Sequence, residues 1–492
     1  MITVVQNQRR NSILFICCFF TCLLFYGIFI NPHYAVDTYV YTKPVIEQDI
    51  FRAGRLLTFS FLNILGYFNV SLANNQSIFT FLSIVFFSLS HYLFLKSLLT
   101  IKSEWTNISI LTLFLASVTL FNNVFMATLF IFPEVIMCYS IGTLLCVIAV
   151  NTIVFGDLGV KKIMISLILI FATLCFYQGI GPYYVMLAIS LFFLKNWKES
   201  MAKVYSRSVM VVFIYTVAIL ANSLLERLSS RHRTDFSLAK IFSNIWNIIK
   251  AQKMLWIDSD KLIPQFIFII IFILLIVSLS FIIFKDLKIY KTKGIFLFQL
   301  GLIFLTFLLI VAPFAIANDG FLTPRGIVVF MAFPSILGIL FTFLNCNSNS
   351  KKSYLSIIYI IIFICVSFLG VQNIGINNNV TNALDKAIAQ QMYNKIERYE
   401  TLSNKRVTKI ALVNDTNPTW SYVTSNSYDI HSRALSIDWA ALPLLSVVTG
   451  REFEMVEMDK KIYNQYFLER DWNSYEDNQV IIKGDTAYIA LY

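Results

Sequence analysis

Charged residues are scarce in this chain. They make up 14% of its 492 residues, and hydrophobic residues make up 57%, whereas a soluble globular chain carries about 25% charged residues. This composition excludes an ordinary soluble enzyme. Glycine (17) and proline (10) are also few, which excludes collagen-like and low-complexity chains. The remaining class is a polytopic α-helical membrane protein, because long apolar runs satisfy their backbone hydrogen bonds in hydrocarbon as helices.

The sequence also lacks the common motifs of soluble catalysis and metal binding. The four His show no HExxH spacing, and no Walker, dinucleotide-binding or G-x-S-x-G motif occurs. The eight Cys contain no CxxC pair, so we predict neither a metal cage nor a disulfide framework. The net charge is +11, but most basic residues lie in short loops between apolar runs. Such loops are a topology signal, and we predict no nucleic-acid partner.

The apolar runs predict about 11 transmembrane helices, since a spanning helix needs about 20 apolar residues. The run from Ile163 to Leu194 counts as two short helices, because Gly179 to Pro182 interrupts it. Lys and Arg alternate between loops so that the N-terminus is predicted inside and the C-terminus outside, except around Arg231 to Lys261. The other candidate spans are Ser12 to Ile30, Ile78 to Leu99, Ile108 to Leu120, Val135 to Phe155, Ser208 to Leu225, Ile263 to Phe284, Ile295 to Phe314, Ile327 to Leu344 and Tyr354 to Val371.

Two parts do not fit the spanning pattern, and they divide the chain. The first outer loop, residues 31–75, contains an apolar piece from Leu56 to Asn69 that is typical of a helix lying in the membrane interface. Beyond Val371 the composition becomes polar. There, helical spacing, a strand from Val407 to Val413 and a hairpin from Val480 to Leu491 predict a small extramembrane α+β domain. We therefore predict a transmembrane catalytic domain over 1–371 and an α+β domain over 372–492.

The first outer loop contains a dense cluster of acidic and basic residues. Asp37, Glu47, Asp49, Arg52 and Arg55 lie within one short segment. An acid can deprotonate a sugar hydroxyl, while Arg can bind the phosphate of a lipid carrier with two hydrogen bonds. Glu47 and Asp49 also have the spacing of a metal pair, so a divalent metal is one candidate cofactor. The alternative is a solvated loop of mutually neutralising charges.

Glu134 follows Pro133 at the predicted outer end of a span. A carboxylate there is favoured by the helix dipole, so it can serve as a helix cap. The functional alternative is a second acid that faces the same cavity as Asp37.

Polar and aromatic residues meet at two other outer turns. Gln178 and Tyr183 flank the Gly-Pro break, where they either form an interfacial turn or line a sugar site. Asp319 and Arg325 share another short outer loop. Because an Arg entering a helix from outside runs against the usual charge bias, phosphate binding is the function we favour for it.

Several of these positions together resemble the membrane glucosyltransferases that modify O-antigen in serotype conversion, which are of the GT-C class. The resemblance rests on Asp37 soon after the first helix, Gly54-Arg55-Leu56, the Tyr177-Gln178 helix break, Pro324-Arg325, and Asp385 on the first helix of the tail. It spans nearly the whole chain. One departure is visible, because Thr38 follows Asp37 where we expect a second acid.

The resemblance implies glucosyl transfer at the periplasmic side of a bacterial inner membrane, with the N-terminus cytoplasmic and the C-terminal domain periplasmic. The donor would be a polyprenyl-phosphate sugar, and the acceptor a sugar of lipid-linked O-antigen. Asp37 would be the general base, while Arg55 and Arg325 would hold the lipid phosphate. A direct displacement would invert the anomeric centre.

Two other functions remain open from the sequence. An O-antigen polymerase, or another enzyme of lipid-linked sugars, would also use outward-facing Arg residues. A polysaccharide flippase or transporter usually has charged residues inside its spans. The predicted spans here are nearly free of them, which favours an enzyme.

Overall fold

The computed structural model describes residues 2–42, 54–102, 105–156, 159–196, 201–228, 237–253, 315–316, 328–345, 351–414, 433–468 and 474–491, and the single residues 270, 273, 277, 470 and 472.

Most of the described chain is helical. The helices that the structure describes before residue 350 are, in chain order, α1 (Ile2–Tyr26), α2 (Leu56–Tyr67), α3 (Gln76–Thr100), α4 (Asn107–Phe121), α5 (Val124–Phe130), α6 (Ile136–Phe155), α7 (Val160–Phe176), α8 (Gly181–Asn196), α9 (Met201–Leu228), α10 (Leu238–Lys253) and α11 (Val328–Asn345). They are followed by the long helix α12 (Lys351–Ser403) and a small sheet.

Five of the described helices are long and apolar enough to cross a membrane, or six if a bent pair is one span. The bent pair is α4 with α5, whose axes differ by 50°. These helices confirm a mostly helical protein with apolar candidate spans, while the number of about 11 stays a prediction. The predicted spans Ile263 to Phe284 and Ile295 to Phe314 lie outside the described residues, apart from single positions.

The bend between α4 and α5 is set by Asn123. Its side chain accepts hydrogen bonds from the amides of Phe125 (3.1 Å) and Met126 (3.0 Å), which caps a new helix inside an apolar run. Tyr26, at the end of α1, donates its hydroxyl proton to the carbonyl of Phe121 at 2.8 Å. Its ring also stacks on Phe130 with 4.2 Å between ring centres. The ends of α1, α4 and α5 are thereby joined in one core.

The chain turns sharply between α7 and α8 through a 3₁₀ turn, Gln178–Ile180. Gly181 opens α8, and a Cβ atom there would lie 2.5 Å from the side chain of Leu174 and 3.1 Å from that of Tyr215. Only glycine therefore allows this close approach. The break that the Gly-Pro sequence predicts is present, and α6, α7, α8 and α9 pack against one another around it.

Helix α10 falls within the segment whose charges did not follow the topology pattern. Ile241, Ile245 and Ile248 recur along it with helical spacing and pack against the main core, whereas Phe242 and Trp246 are exposed. The segment is thus partly an amphipathic helix. Such helices lie at membrane surfaces, where Lys and Arg occur whichever side of the membrane the segment faces.

Helix α12 has 53 residues and is therefore about 80 Å long. Since the hydrocarbon core of a bilayer is about 30 Å thick, the helix must extend well beyond any membrane that it crosses. Its first half is apolar, and its second half carries polar residues together with Ile388, Met392 and Ile396, which enter a second hydrophobic core.

This second core is formed with a four-stranded sheet. Strands β1 (Lys409–Asn414), β2 (Glu454–Met455), β3 (Val480–Lys483) and β4 (Thr486–Leu491) lie in the order β2-β1-β4-β3. β1 is parallel to β2 and β4, and β3 with β4 forms an antiparallel hairpin. Helix α13 (Asp438–Thr449) packs against it. We call the described residues from 372 to 491 the C-terminal unit.

A buried ion pair lies inside the C-terminal unit. Asp385 on α12 accepts hydrogen bonds from Nε of Arg433 at 3.1 Å and from the amide of Ala434 at 2.8 Å. Both side chains of the pair are almost fully buried. The pair therefore attaches the chain before α13 to the long helix.

Arg433→Met should lower the free energy of unfolding by about 3–5 kcal/mol, because it leaves a buried carboxylate without its partner. Thermal unfolding of the purified full-length chain in detergent measures the change. Lys409→Met, which breaks an exposed ion pair with Asp485 at 2.9 Å, is the matched control and should leave the free energy of unfolding nearly unchanged. Combining Arg433→Met with Asp385→Asn should restore part of the stability. If the double variant is as unstable as the single one, the buried charge is not the cause.

Candidate functional site

One cavity of about 100 Å³ collects polar side chains from four distant segments. These segments are the loop after α1, the start of α2, the turn before α6 and the end of α7. All four lie where helices end, which is where an apolar bundle can place polar groups. The cavity is lined by Asp37, Tyr41, Arg55, Thr58, Glu134, Val135, Tyr139 and Tyr177.

Asp37 opens the 3₁₀ turn Asp37–Thr42. The amide of Thr38 donates to the carbonyl of Ala35 at 3.1 Å, and the amide of Ala35 donates to the Thr38 hydroxyl at 2.9 Å. These reciprocal bonds fix the backbone on both sides of Asp37. We call residues 34–42 the Asp37 turn.

Glu134 faces the Asp37 turn across the cavity. It is 2% exposed, and its Oε2 accepts a hydrogen bond from the Thr38 hydroxyl at 2.7 Å. The N-cap of α6 is Val135, which has no side-chain cap. Of the two interpretations open from the sequence, this placement favours the second acid over the helix cap.

Arg55 is held at the cavity by aromatic and amide groups. Its guanidinium carbon lies 4.7 Å from the centre of the Tyr177 ring, which is a cation–π contact. Its Nε donates to Oε1 of Gln178 at 3.3 Å. Tyr139 meets Tyr177 edge-on with 4.3 Å between ring centres, so the ring that supports Arg55 is itself fixed.

A residue that the sequence analysis did not select completes this network. Asn222 on α9 donates to the carbonyl of Gly54 at 2.9 Å, and its Oδ1 accepts from Gln178 at 3.5 Å. Gly54 precedes Arg55 and has a φ of +74°, a region that favours glycine. In the sequence, the only sign of a role for Asn222 is that it is an amide near the end of a long apolar run.

Tyr183, predicted to line a sugar site, lies elsewhere. It is 1% exposed and packs in the main hydrophobic core, and it does not line the cavity. Among the described residues, the tyrosines at the cavity wall are Tyr177, Tyr139 and Tyr41. The helix break therefore contributes Tyr177 and Gln178 to the site.

Two buried groups beside Asp37 have shifted acidities. Burial lowers the pKa of His33. The carbonyls of Asn31 and Phe130, each 2.8 Å from a ring nitrogen, raise this pKa, but their effect is smaller than that of burial. Burial also raises the pKa of Tyr39 well above its usual value, and the nearby Asp385 carboxylate adds to the effect. The His33 ring, held between two backbone carbonyls, and the buried Tyr39 ring both anchor the loop.

The remaining predicted site residues, Glu47, Asp49, Arg52, Asp319 and Arg325, lie outside the described residues. Within the described ranges, no three His, Cys, Asp or Glu side chains come together as a metal site. The predicted metal pair at Glu47 and Asp49 falls outside those ranges.

The arrangement is suited to removing a proton from one bound group while a neighbouring anionic group is held by a cation. Asp37 and Glu134 can accept or direct a proton, and Arg55 can bind a phosphate or stabilise a leaving anion. Such a combination, at one end of a bundle of apolar helices, is suited to a membrane enzyme or carrier with a polar ligand.

Comparison with known families identifies the class. The family model described as glucosyl transferase GtrII matches residues 26–344, a range that includes all of the cavity-lining residues. The match covers more than half of the chain, so the chain belongs to the glucosyl transferase GtrII family, as the resemblance predicted. Membership implies that it is a glycosyltransferase. Comparisons with curated proteins and with solved structures found no match.

Gly54→Ala should reduce activity at least about tenfold while the protein still folds. A Cβ atom at this position would lie 3.2 Å from Nε2 of Gln178 and 3.4 Å from Oδ1 of Asn222, so it displaces the groups that orient Arg55. Transfer assays at equal membrane levels of protein measure the effect.

Gly484→Ala is the matched control. Gly484 also has a positive φ, +64°, but has open space around its Cβ position. Equal losses in both variants would mean that backbone strain, and not the displacement of Gln178 and Asn222, is responsible.

Proposed function

We propose that this protein transfers glucose from polyprenyl-phosphate glucose to a sugar of lipid-linked O-antigen at the periplasmic face of the inner membrane. The observation that carries the proposal is the cavity in which Asp37, Glu134 and Arg55 meet, within a chain of the glucosyl transferase GtrII family. The reaction needs a base for the acceptor hydroxyl and a cation for the departing lipid phosphate, and the cavity provides both types of group.

Asp37 acts as the general base. The acceptor oxygen attacks the anomeric carbon while Asp37 takes its proton. The bond from that carbon to the phosphate oxygen breaks, and its electron pair leaves with the polyprenyl phosphate. A single displacement of this type inverts the anomeric centre. Asp37 suits this role because it lines the cavity and is only partly buried, so a bound acceptor can reach it.

Glu134 orients the acceptor as a second carboxylate. Oε2 already accepts the Thr38 hydroxyl bond, which fixes the carboxyl group relative to Asp37. A preorganised acceptor group of this kind holds a sugar hydroxyl in line for attack.

Arg55 binds the lipid phosphate. Its stacking on Tyr177 and its bond to Gln178 place the guanidinium without neutralising it, because neither partner carries a negative charge. A positive group at the departing phosphate stabilises charge that develops in the transition state. Arg325 is its proposed partner. Tyr139 and Tyr41 offer further aromatic groups at the cavity wall for the sugar.

The proposed topology follows from where the site residues lie. Asp37, Arg55 and Gln178 all lie at the ends of helices that the charge pattern places outside. The C-terminal unit continues from the outer end of the apolar half of α12. In this GT-C-type arrangement, the first outer loop and the C-terminal unit share the periplasmic side, and membrane lipids surround the spanning helices of the domain over 1–371. A divalent cation remains a candidate cofactor through Glu47 and Asp49, and the reaction above is written without it.

Expression in a host with a defined O-antigen should add one hexose to each repeat unit, provided that the host makes the donor. Asp37→Asn should lower transfer by about 10²–10⁴-fold, because the amide cannot accept the proton. Mass measurement of the repeat unit, with and without the protein, tests both.

Asp485→Asn, at an exposed turn of the C-terminal unit, is the control and should keep full activity. Normal transfer by Asp37→Asn would overturn its role as base. An unchanged repeat with altered chain length would indicate a polymerase. No change in either quantity, with the donor present, would favour transport.

Glu134→Gln should lower transfer less than Asp37→Asn, by about 10–10²-fold, because the amide keeps an oxygen that can accept the Thr38 bond. Kinetics with purified protein should show a raised KM for the acceptor and an unchanged KM for the donor. Glu457→Gln, at an exposed position, is the matched control. If only the KM for the donor rose, Glu134 would contact the donor, and its proposed role at the acceptor would be wrong.

A further inference from the structure

The Asp37 turn is enclosed between two hydrophobic cores. Val36 and Tyr39 belong to the core of the C-terminal unit, together with Ile388 and Met392 of α12. Asp37 lines the cavity, and Thr38 binds Glu134 at the start of the helix bundle. In one short turn, Val36 and Tyr39 therefore contact the C-terminal unit, whereas Asp37 and Thr38 face the cavity. The turn connects the two.

Asn382 on α12 makes the most specific contact with this turn. Its Nδ2 donates to the carbonyl of Tyr34 at 2.7 Å, and its Oδ1 accepts from the amide of Tyr34. One side-chain amide thus satisfies both backbone groups of a single residue, as a neighbouring β-strand would. Asn382 is buried, so water is a poor substitute for it.

The next turn of α12 adds a second contact. The ammonium group of Lys386 lies 4.4 Å from the centre of the Tyr34 ring. This ring stacks on Tyr39 with 4.8 Å between ring centres. Residues 382 and 386 are one helical turn apart, so one face of α12 holds Tyr34 by its backbone and by its ring.

A displacement at Tyr34 must reach Asp37. Tyr34 is followed by Ala35, whose amide and carbonyl are both bonded to Thr38. These two bonds close a ring around the backbone of Asp37. A catalytic group that moves by about 1 Å can lose about 10²-fold in rate.

We propose that Asn382 is a positioning residue for Asp37, and that the C-terminal unit is therefore a structural part of the active site. The family match ends at residue 344, so this contribution comes from the part of the chain beyond it. The inference rests on the proposed function for its kinetic consequence, whereas its geometric consequence is independent of the reaction.

The kinetic test uses Asn382→Ala in the purified full-length protein. The variant should lower kcat for glucosyl transfer by about 10–10²-fold with little change in donor KM, because the donor phosphate site at Arg55 is untouched. Asn394→Ala, an exposed position on the same helix, is the matched control and should retain full kcat. Equal kcat for Asn382→Ala and the wild-type protein would overturn the proposal.

Asn382→Asp distinguishes positioning from a general loss of structure. A protonated carboxyl group can donate to the Tyr34 carbonyl and accept from its amide, as the Asn side chain does, whereas a carboxylate cannot donate. The activity of Asn382→Asp relative to wild type should therefore rise as the pH falls. A ratio that does not change with pH would contradict this role.

A labelling experiment separates failure of this proposal from failure of the proposed function. Asp37→Cys is labelled with a membrane-impermeant maleimide, with and without Asn382→Ala, and the unsubstituted chain gives the background. Asn382→Ala should raise the labelling rate severalfold because the turn is released. An unchanged rate would overturn the positioning role whether or not glucose is transferred. A raised labelling rate, together with no transfer by the chain that retains Asp37, would support positioning and reject only the proposed function.

Discussion

The apolar helices impose the constraint on which this site depends. Because hydrocarbon offers no partner for polar groups, the bundle can hold reactive side chains only where helices end, turn or break. Asp37 follows α1, Arg55 precedes α2, and Glu134 lies between α5 and α6. The Thr38 to Glu134 hydrogen bond of 2.7 Å joins two of these ends. Distant segments of the chain therefore meet in one cavity.

The sequence predicts residue types at this cavity better than their partners. Asp37, Arg55 and Glu134 could be selected because charges are conspicuous against an apolar background. Asn222 and Asn382 could not, since an amide side chain on a helix gives no sign of which backbone group it will bond. Each amide pairs with a residue more than a hundred positions away. Such long-range pairing depends on how the helices pack, which periodicity does not report.

The fold shows the same division between local and non-local information. The long helices, the α7–α8 break and the β3–β4 hairpin follow from apolar length, Gly-Pro chemistry and turn residues. The short helix α5 was not predicted, because its residues continue an apolar run and only Asn123 marks a new cap. Likewise, Tyr177 and Tyr183 both flank the helix break in the sequence. Of these two, Tyr177 lines the cavity, whereas the turn directs Tyr183 into the core.

Thr38 stands where a second acid was expected, and the geometry explains how the site can work with threonine. Its side chain is fully buried and donates to Glu134. A carboxylate at position 38 would face Glu134 at close range without a proton to donate, and one of the two acids would have to become neutral. Threonine instead gives Glu134 a hydroxyl donor at 2.7 Å. The second acid of the cavity is thus contributed by the turn before α6, where Glu134 accepts a hydrogen bond that a carboxylate at position 38 could not donate.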